Sequence, residues 1–327
     1  MDLLDVLRKK IDVLEEGDHF TGLKAVLLHI ETAFRHLSRG QDSDDDTAFT
    51  DAIYRTNQAF EGSVKEAYRV LTGQDPAKKR PFDIENYLEK NNIFRPRVLS
   101  QLTTYRTEWR NPSAHDYKLD FDENEAFLAI VSVSAFSCLL LDQIAERLSF
   151  IKSQAEAEDQ KATLLASLEP TADAELIVRV AELLSQFCES HLPSATPSNK
   201  LNEVQVVGAL HGFLASAAPE LKVETEVAHP QSRLRVDLLI RRGEERLIVE
   251  LRRSARHNRD VGLQLQRYLQ AFEVKKGIAL LYPEASMPMA KIELKCIDPE
   301  TRMIGLAPSE MIAAHSWARM DGGVITE

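Results

Sequence analysis

The first half of the chain repeats apolar residues at spacings of three and four, which is the period of an amphipathic helix. Leu3, Leu7 and Ile11 begin this pattern, and it returns after each polar break. It predicts helices over residues 3–14, 21–37, 48–71, 84–88, 97–110 and 122–150. Segment 122–150 is apolar almost throughout, so we expect it to be the central packing helix of an all-α bundle.

After residue 200 the rhythm changes to an alternation with period two, which indicates strands. The predicted order is helix 202–217, strands 221–227, 234–240 and 246–251, helix 260–272 and strand 277–282, with two further strands between 291 and 306. This order is typical of an α/β domain. The fold class is therefore predicted as multidomain α and α/β. Its parts are an all-α bundle over 1–150, a helical linker over 151–199 that ends in a proline-rich loop, and an α/β domain over 200–327.

The helical pattern breaks at Pro112, and three polar residues stand together at the break: Arg110, Asn111 and His115. Proline lacks a backbone N–H and pushes the residue before it toward extended geometry. We therefore predict that Arg110 ends a helix and that His115 lies in or just after a turn. An arginine and a histidine in this arrangement can serve phosphate chemistry. Alternatively, Arg110 caps the helix end and His115 binds Asp116.

A turn at 243–244 would join the strands on either side of it as a hairpin. If residues 243 and 244 form a two-residue loop, the residue numbers of each cross-strand pair add up to the sum of 243 and 244. Asp237 then lies directly opposite Glu250. Arg235 then lies opposite Arg252 on the same face of the sheet. Two carboxylates about 5 Å apart repel each other unless a positive charge lies between them, and either Mg²⁺ or the neighbouring arginines can provide it. A bulge in the turn would remove this pairing.

Composition indicates a globular protein, since 44% of the 327 residues are apolar and 28% are charged. The formal charge of -11 argues against a cationic coat over the whole surface, yet residues 233–267 carry ten arginines against five acids. This segment suits local contact with a polyanion, or it is a solvated arginine-rich face. Three separated cysteines, the lack of a secretory signal pattern and the lack of eighteen consecutive apolar residues predict a reduced, cytoplasmic protein without a membrane span.

Asp237, followed a strand later by Glu250-Leu-Arg252 within the predicted order of elements, resembles the PD-(D/E)xK nuclease superfamily. Gln264 and Tyr268 on the next helix resemble the Gln-x-x-x-Tyr signature of its RecB-like branch, and their spacing puts them on one helical face. The resemblance covers about residues 200–285. It implies a restriction-endonuclease-like α/β domain with a central mixed sheet.

This resemblance implies that Asp237 and Glu250 hold Mg²⁺ or Mn²⁺, with Glu203 on the opening helix as an additional acid. We expect the nucleic acid to be contacted by Arg235, Gln264, Tyr268, Arg253 and Arg256. Arg252 stands where the family has a lysine. It stays cationic and can stabilise phosphate charge, but it does not readily accept a proton. Loss of cleavage with retained nucleic-acid binding is therefore an open alternative.

Arg110-Asn111, followed after three residues by His115 between two long helices, resembles the Arg-x4-6-His motif of HEPN domains. The resemblance covers about residues 45–147, with Glu61 or Glu66 in the place of an acid that the family often carries on the preceding helix. It implies that Arg110 and His115 cleave RNA without a metal, by promoting attack of a 2′-hydroxyl on its phosphate. It also implies a homodimer through the helical domain, because such sites form across a two-fold interface.

The two resemblances together predict a nucleic-acid-cleaving protein, a prokaryotic anti-phage defence or toxin-type effector that acts on RNA or DNA. The helical domain would cleave RNA without a cofactor, and the C-terminal domain would bind or cleave nucleic acid. One alternative is a Mg²⁺-dependent DNA nuclease whose helical domain only dimerises. Another is an inactive nucleic-acid-binding or adaptor module of a larger complex. A partner defence protein is compatible with each of these, and no membrane association is expected.

Overall fold

The computed structural model describes residues 2–14, 17–43, 45–115, 118–168, 171, 174–192, 201–254, 261–296 and 298–313. The chain divides into two compact units, Met1–Leu148 and Ser149–Glu327. The first unit is helical and the second contains a mixed six-stranded sheet, so the predicted layout of an α part and an α/β part is confirmed. Each unit has its own buried apolar core.

The helices of the N-terminal unit follow the predicted ones. They are α1 (Leu3–Asp12), α2 (Asp18–Ser43), α3 (Thr47–Thr72), α4 (Pro81–Lys90), α5 (Pro96–Tyr105), α6 (Asn111–His115) and the first part of α7 (Glu123–Asp159), whose last residues belong to the second unit. Asp2 caps α1 by accepting a hydrogen bond from the Leu4 N–H at 3.1 Å. Gly73 ends α3 with a left-handed φ of 70°. Proline at the first position begins both α4 and α5.

Phe60 of α3 lies in the core of this unit. Its ring stacks on Tyr105 with the centroids 4.7 Å apart, and it contacts the ring of Phe136 at 5.2 Å. All three side chains are fully buried. Large aromatic side chains packed in this way supply much of the apolar area that a bundle buries, and Phe136 ties α7 into the core.

Helix α7 is long and apolar enough, by length and composition, to cross a membrane, and within the described part of the chain it is the one helix that is. Its most apolar window of 18 residues has a mean hydropathy of 1.9, and 56% of that window is buried inside the protein. Core helices of soluble proteins meet the same criteria. Packing in the protein core accounts for the buried part of α7, whereas Phe127, Leu128 and Val131 of the same helix are exposed.

The chain does not leave the helix at Pro112, so that prediction is wrong. Between α5 and α6 it forms a π-helical turn, Arg106–Arg110, in which the Asn111 N–H donates to the carbonyl oxygen of Arg106. Asn111 has φ -71° and ψ -46°, which is helical and not extended. The wider turn carries one extra residue and Pro112 follows in the first turn of α6, so its missing N–H and its ring cause no break. His115 consequently ends a helix.

The C-terminal unit is built on a sheet with the strand order β1-β2-β3-β4-β6-β5. The strands are β1 (Lys222–Ala228), β2 (Arg235–Arg242), β3 (Glu245–Arg253), β4 (Lys276–Tyr282), β5 (Met289–Leu294) and β6 (Arg302–Pro308). Pairs β1–β2, β2–β3 and β5–β6 are antiparallel, whereas β4 runs parallel to β3 and to β6. The accompanying helices are α8 (Lys161–Leu168), α9 (Leu176–Ser190), α10 (Glu203–Ala217), α11 (Val261–Phe272) and α12 (Ser309–Ala313).

Helices pack on both faces of this sheet. One face forms a core with α9 and α10, to which Leu184 and Phe213 contribute. The other face packs against α11 through residues such as Leu265. Helix α9 lies inside segment 151–199, which was predicted as a linker. The apolar face of α9 packs in the core of this unit. Apolar periodicity predicts that a helix buries one face, but it does not tell whether the helix belongs to a linker or to a domain.

Gly212 of α10 provides a stability prediction, because a Cβ atom there would lie 2.2 Å from the Phe150 carbonyl oxygen and 3.0 Å from the Gln154 nitrogen. Both are backbone atoms, which cannot move aside as a side chain can. We expect Gly212→Ala to lower the free energy of unfolding by ~2 kcal/mol or more in urea titrations, in spite of the better helix propensity of alanine.

Gly62→Ala in α3 is the matched control, because its Cβ would meet only the Cγ2 atom of Val26, at 2.9 Å. That methyl group can shift, so the change should stay within about 1 kcal/mol. Equal effects of the two substitutions would contradict the close backbone approach at Gly212.

Candidate functional sites

The hairpin between β2 and β3 has the predicted register. Leu238 pairs with Val249, and the pairing continues to Arg242 opposite Glu245, which leaves a loop of two residues at 243–244. Gly243 has a φ of 58°, as the first position of a type II′ turn requires. One step beyond the Leu238–Val249 pair, continuation of this register puts Asp237 level with Glu250, on the sheet face that packs against α11.

Asp237 is half-buried, and its Oδ2 atom accepts a hydrogen bond from the Leu251 N–H at 2.7 Å. Burial raises the pKa of Asp237, because the charged form loses hydration. The negative charges of Glu203 and Glu226 raise this pKa further, although the Leu251 N–H and Arg252 act against the increase. The Leu251 N–H and Arg252 therefore offset only part of the increase in the pKa of Asp237 that burial and the two acids cause.

Glu250 is 1% exposed. Its Oε1 atom forms an ion pair with Arg252 Nη2 at 2.6 Å and accepts a hydrogen bond from Gln264 Nε2 at 3.2 Å. Its Oε2 atom is buried and accepts no hydrogen bond from any described residue. Burial raises the pKa of Glu250, and the charge of Asp237 raises it further against the effect of Arg252. A buried acceptor without a partner is rare in folded proteins and requires an explanation.

Arg252 and the two predicted residues of α11 form one hydrogen-bonded group around Glu250. Arg252 Nη2 donates to Gln264 Oε1 at 2.9 Å, and Gln264 Nε2 lies 2.7 Å from the Tyr268 hydroxyl. Arg252 Nη1 also lies 3.8 Å from Glu203 Oε1 at the start of α10. The structure therefore brings together Glu203, Asp237, Glu250, Arg252, Gln264 and Tyr268.

The other predicted nucleic-acid contacts lie elsewhere. Arg253 follows Arg252 in the strand, so its side chain points to the opposite face of the sheet. There it donates to the Leu201 carbonyl oxygen at 2.8 Å and lies 3.6 Å from Glu284. This is a structural contact on the face away from Glu250. Arg256 lies outside the described residues.

Glu226 is a site residue that the sequence patterns did not reveal. The β1–β2 register places it opposite Asp237, and it has a φ of 51°, a left-handed conformation that is uncommon for a residue other than glycine. Its carboxylate binds Arg235 Nη1 at 2.8 Å. Arg235, predicted to face Arg252, is thus held by β1. The alternation along β1 predicts which side of the strand Glu226 occupies, but not which residue of β2 lies opposite it. Only the register between β1 and β2 shows that Glu226 belongs to the site.

In the N-terminal unit, Arg110 lies beside Glu61 of α3, with Nη2 3.5 Å from Glu61 Oε1. Its Nη1 atom donates to Asn111 Oδ1 at 3.1 Å. Glu66, the other acid considered for this site, lies against Gly22 and pairs with Arg69 instead. Arg110 lines an open cleft of about 590 Å³, together with His36, Asp51, Tyr54, Arg55, Asn57, Gln58, Glu61 and Ala114.

His115 is exposed and does not line this cleft. Five residues along a helix correspond to a rotation of about 140° from Arg110, so the two side chains point in different directions. Ala114, four residues from Arg110, faces the cleft. Asp116, the predicted partner of His115, lies outside the described residues. Within one chain, Arg110 and His115 therefore do not share a site.

A buried polar network holds α6 against α3. The Tyr105 hydroxyl lies 2.7 Å from Thr56 Oγ1 and 3.0 Å from Asn57 Oδ1, and Asn57 Nδ2 donates to Ser113 Oγ at 2.7 Å. Burial raises the pKa of Tyr105, so the hydroxyl keeps its proton and can donate. Ser113 Oγ also donates to the carbonyl oxygen of Trp109, the residue that precedes Arg110. The network therefore holds the backbone at Arg110 in place.

Comparison with known proteins gives no match: no protein-family model, no curated protein sequence and no solved structure matches this chain. The two family resemblances therefore stay predictions that depend on the motifs.

The acidic pair predicts how stability changes with pH. Folding raises the pKa of Asp237 above its ordinary value near 4, so this carboxyl favours the folded state when protonated and opposes it as the pH rises through the raised pKa. In EDTA at pH 7.5 we expect Asp237→Asn to increase the free energy of unfolding by about 1 kcal/mol or more. The gain should vanish toward pH 4.

Asp298→Asn is the control of opposite sign. Lys275, the Glu300 N–H and Thr301 lower the pKa of Asp298 to about 2, so its charge stabilises the fold above the ordinary carboxyl pKa. The neutral variant should be less stable than the wild type at pH 7.5. If Asp237→Asn also lost stability there, the strain assigned to the acidic pair would be disproved.

Proposed function

We propose that this chain is a metal-dependent nuclease that hydrolyses phosphodiester bonds at Asp237 and Glu250. The observation that carries this proposal is the buried Oε2 atom of Glu250, which has no hydrogen-bond partner among the described residues and lies beside a second carboxylate of raised pKa. Two such carboxylates oppose folding unless a cation neutralises them. A divalent ion bound to both would satisfy the orphaned oxygen and reduce the repulsion.

The donor set fits such an ion. Mg²⁺ prefers hard oxygen ligands and commonly takes only one or two protein carboxylates, with water at the remaining positions. Among the described residues, no three His, Cys, Asp or Glu side chains are grouped closely enough to hold a metal by themselves. Asp237 and Glu250 would hold Mg²⁺ or Mn²⁺, with Glu203 as an additional acid. The ion would supply Lewis-acid stabilisation of the phosphate and a more acidic water.

The surrounding residues would position the substrate and Glu250. Arg252 keeps its positive charge at all ordinary pH values, so it favours the ionised form of Glu250 and can donate hydrogen bonds to a phosphate oxygen. Gln264 bridges Arg252 and Glu250 and is itself fixed by Tyr268. Because arginine does not readily accept a proton, Arg252 would act as an electrostatic group and not as a general base.

The same contact supports a non-enzymatic alternative. A guanidinium group 2.6 Å from Glu250 already neutralises one carboxylate without a metal. The C-terminal unit would then bind nucleic acid through its arginine-rich segment and leave it intact. Metal binding distinguishes the two proposals, because only the nuclease needs it.

A second activity, metal-independent cleavage of RNA, is favoured by the π-helical turn that ends at Arg110, since such turns frequently occur at functional sites. Arg110 lines an open cleft, whereas His115 is exposed on another side of the helix. In this proposal one copy of the chain supplies Arg110 and a second copy supplies His115, as in a symmetric homodimer. Either activity would suit a cytoplasmic defence or toxin-type effector that acts on RNA or DNA, with or without a partner protein.

For the metal-dependent activity, we expect purified protein to cleave RNA, single-stranded DNA or duplex DNA with Mg²⁺ or Mn²⁺ and not with EDTA. Asp237→Asn or Glu250→Gln should reduce the rate by at least about 100-fold, because each removes a charged ligand. Mn²⁺ should raise the melting temperature of the wild type but not of these variants. Gel assays and thermal unfolding measure the two effects independently.

Asp298→Asn changes a half-buried carboxylate in the same unit that is paired with Lys275, and it should alter neither cleavage nor the Mn²⁺ effect. Nucleic-acid binding without cleavage, combined with no stabilisation by Mn²⁺, would refute the nuclease proposal in favour of the binding module. Stabilisation by Mn²⁺ that persists in Glu250→Gln would place the ion elsewhere.

For the second activity, we expect RNA cleavage that survives EDTA and is lost in Arg110→Ala and in His115→Ala. A mixture of the two variants should regain part of the activity, because a mixed dimer contains one site with both residues intact. Loss of activity that mixing does not restore would contradict a site shared in this way. The rates follow from gel assays of labelled RNA.

A further inference from the structure

The cleft beside Arg110 contains more than the residues of the Arg-x4-6-His motif. It has a volume of about 590 Å³, within the roughly 300–1,000 Å³ of small-molecule sites. Tyr54, Arg55, Gln58 and Glu61 of α3 recur at spacings of three and four on one helical face, and His36 of α2 lies opposite them. All of these residues belong to the N-terminal unit.

The charges of nearby arginines act on His36, which lines this cleft. Burial lowers the pKa of His36, against the opposing charge of Asp51. Three arginines lower it further, namely Arg39, Arg55 and Arg35. Asp51 Oδ2 lies 3.9 Å from His36 Nδ1, so the charges at the cleft are mixed, and an anionic ligand would depend on an arginine that no carboxylate neutralises.

The carboxylates of the cleft are already engaged. Asp51 lies 2.8 Å from Arg39 Nη2, and Glu61 lies 3.5 Å from Arg110. Arg55 is exposed, and it forms no ion pair or hydrogen bond with the described part of the chain. Its five N–H donors are available to a phosphate, for which the planar guanidinium is well suited.

Tyr54 adds an aromatic surface next to these cations. Its side chain is 53% exposed although it lines the cleft. An exposed aromatic ring beside a cationic groove is the arrangement on which proteins stack nucleic-acid bases, since every base presents a π-face. A simple inorganic anion would make no use of this ring, whereas a nucleotide would use both features.

We propose that this cleft is a nucleotide-binding site, in which Arg55 and Arg110 hold a phosphate and the base stacks on Tyr54. The nucleotide is either free in solution or one unit of a single-stranded RNA. The site goes beyond the nuclease activity proposed for the C-terminal unit and does not require cleavage at either site.

The test is isothermal titration of the full chain in EDTA with four probes: inorganic phosphate, AMP, UMP and a short oligoribonucleotide. We expect AMP or UMP to bind more tightly than phosphate. Arg55→Ala and Tyr54→Ala should each weaken that binding about tenfold, while Tyr54→Phe keeps it. Tight binding of the oligoribonucleotide alone, with the same response to both variants, would identify RNA as the source of the nucleotide.

Arg97→Ala is the matched control, because Arg97 is an exposed arginine of the same unit that lies in α5 and does not line the cleft. It should leave the affinity unchanged. The proposal is overturned if phosphate binds as tightly as the nucleotides, if no nucleotide or oligonucleotide binds, or if Arg55→Ala weakens binding no more than Arg97→Ala. Asp237→Asn should bind nucleotides as the wild type does, so failure of the nuclease proposal would not affect this result.

Discussion

The repulsion between Asp237 and Glu250 is the constraint on which the C-terminal unit depends. The tight turn of the β2–β3 hairpin makes these carboxylates cross-strand neighbours, and α11 covers Glu250 so that water cannot hydrate it. Burial of charge at this position is costly unless donors replace the lost water. The Leu251 N–H, Arg252 and Gln264 replace part of it. One oxygen of Glu250 remains without a donor, and the proposed function depends on that oxygen.

Arg252 has two opposing effects at this site. Its charge compensates Glu250, which allows the carboxylate to stay buried. The same contact occupies one of the oxygens that a metal could use. The metal site proposed above would keep this conflict, because groups arranged for chemistry are not arranged for maximal stability. The left-handed backbone at Glu226, opposite Asp237, is a second local strain in the same place.

The helical unit depends on a different local feature, the π-helical turn that carries the chain past Pro112. The extra residue of that turn allows α6 to continue to His115, and the network from Tyr105 to Ser113 holds α6 on α3. Arg110 is thereby directed toward the cleft lined by α3, and His115 is directed away from it. The two residues of the motif therefore act together only if another chain contributes.

Much of this protein could be predicted from the sequence, because local geometry determines it. Helix and strand periods identified most elements, a two-residue turn set the β2–β3 register whose continuation brings Asp237 close to Glu250, and a spacing of four placed Gln264 beside Tyr268. Each of these features involves residues that are close along the chain. Their relative positions follow from the regular geometry of a helix or a hairpin.

Packing between distant segments decided the rest. The sequence predicted neither that Pro112 would remain helical, nor that Glu226 would face Asp237, nor that His36 and Arg55 would line the cleft of Arg110. Each of these depends on which faces of separate elements meet, and side-chain packing over the whole unit determines that choice. The sequence by itself therefore determined the elements and the acidic pair. Only the tertiary structure decided what surrounds the pair and what lies opposite Arg110.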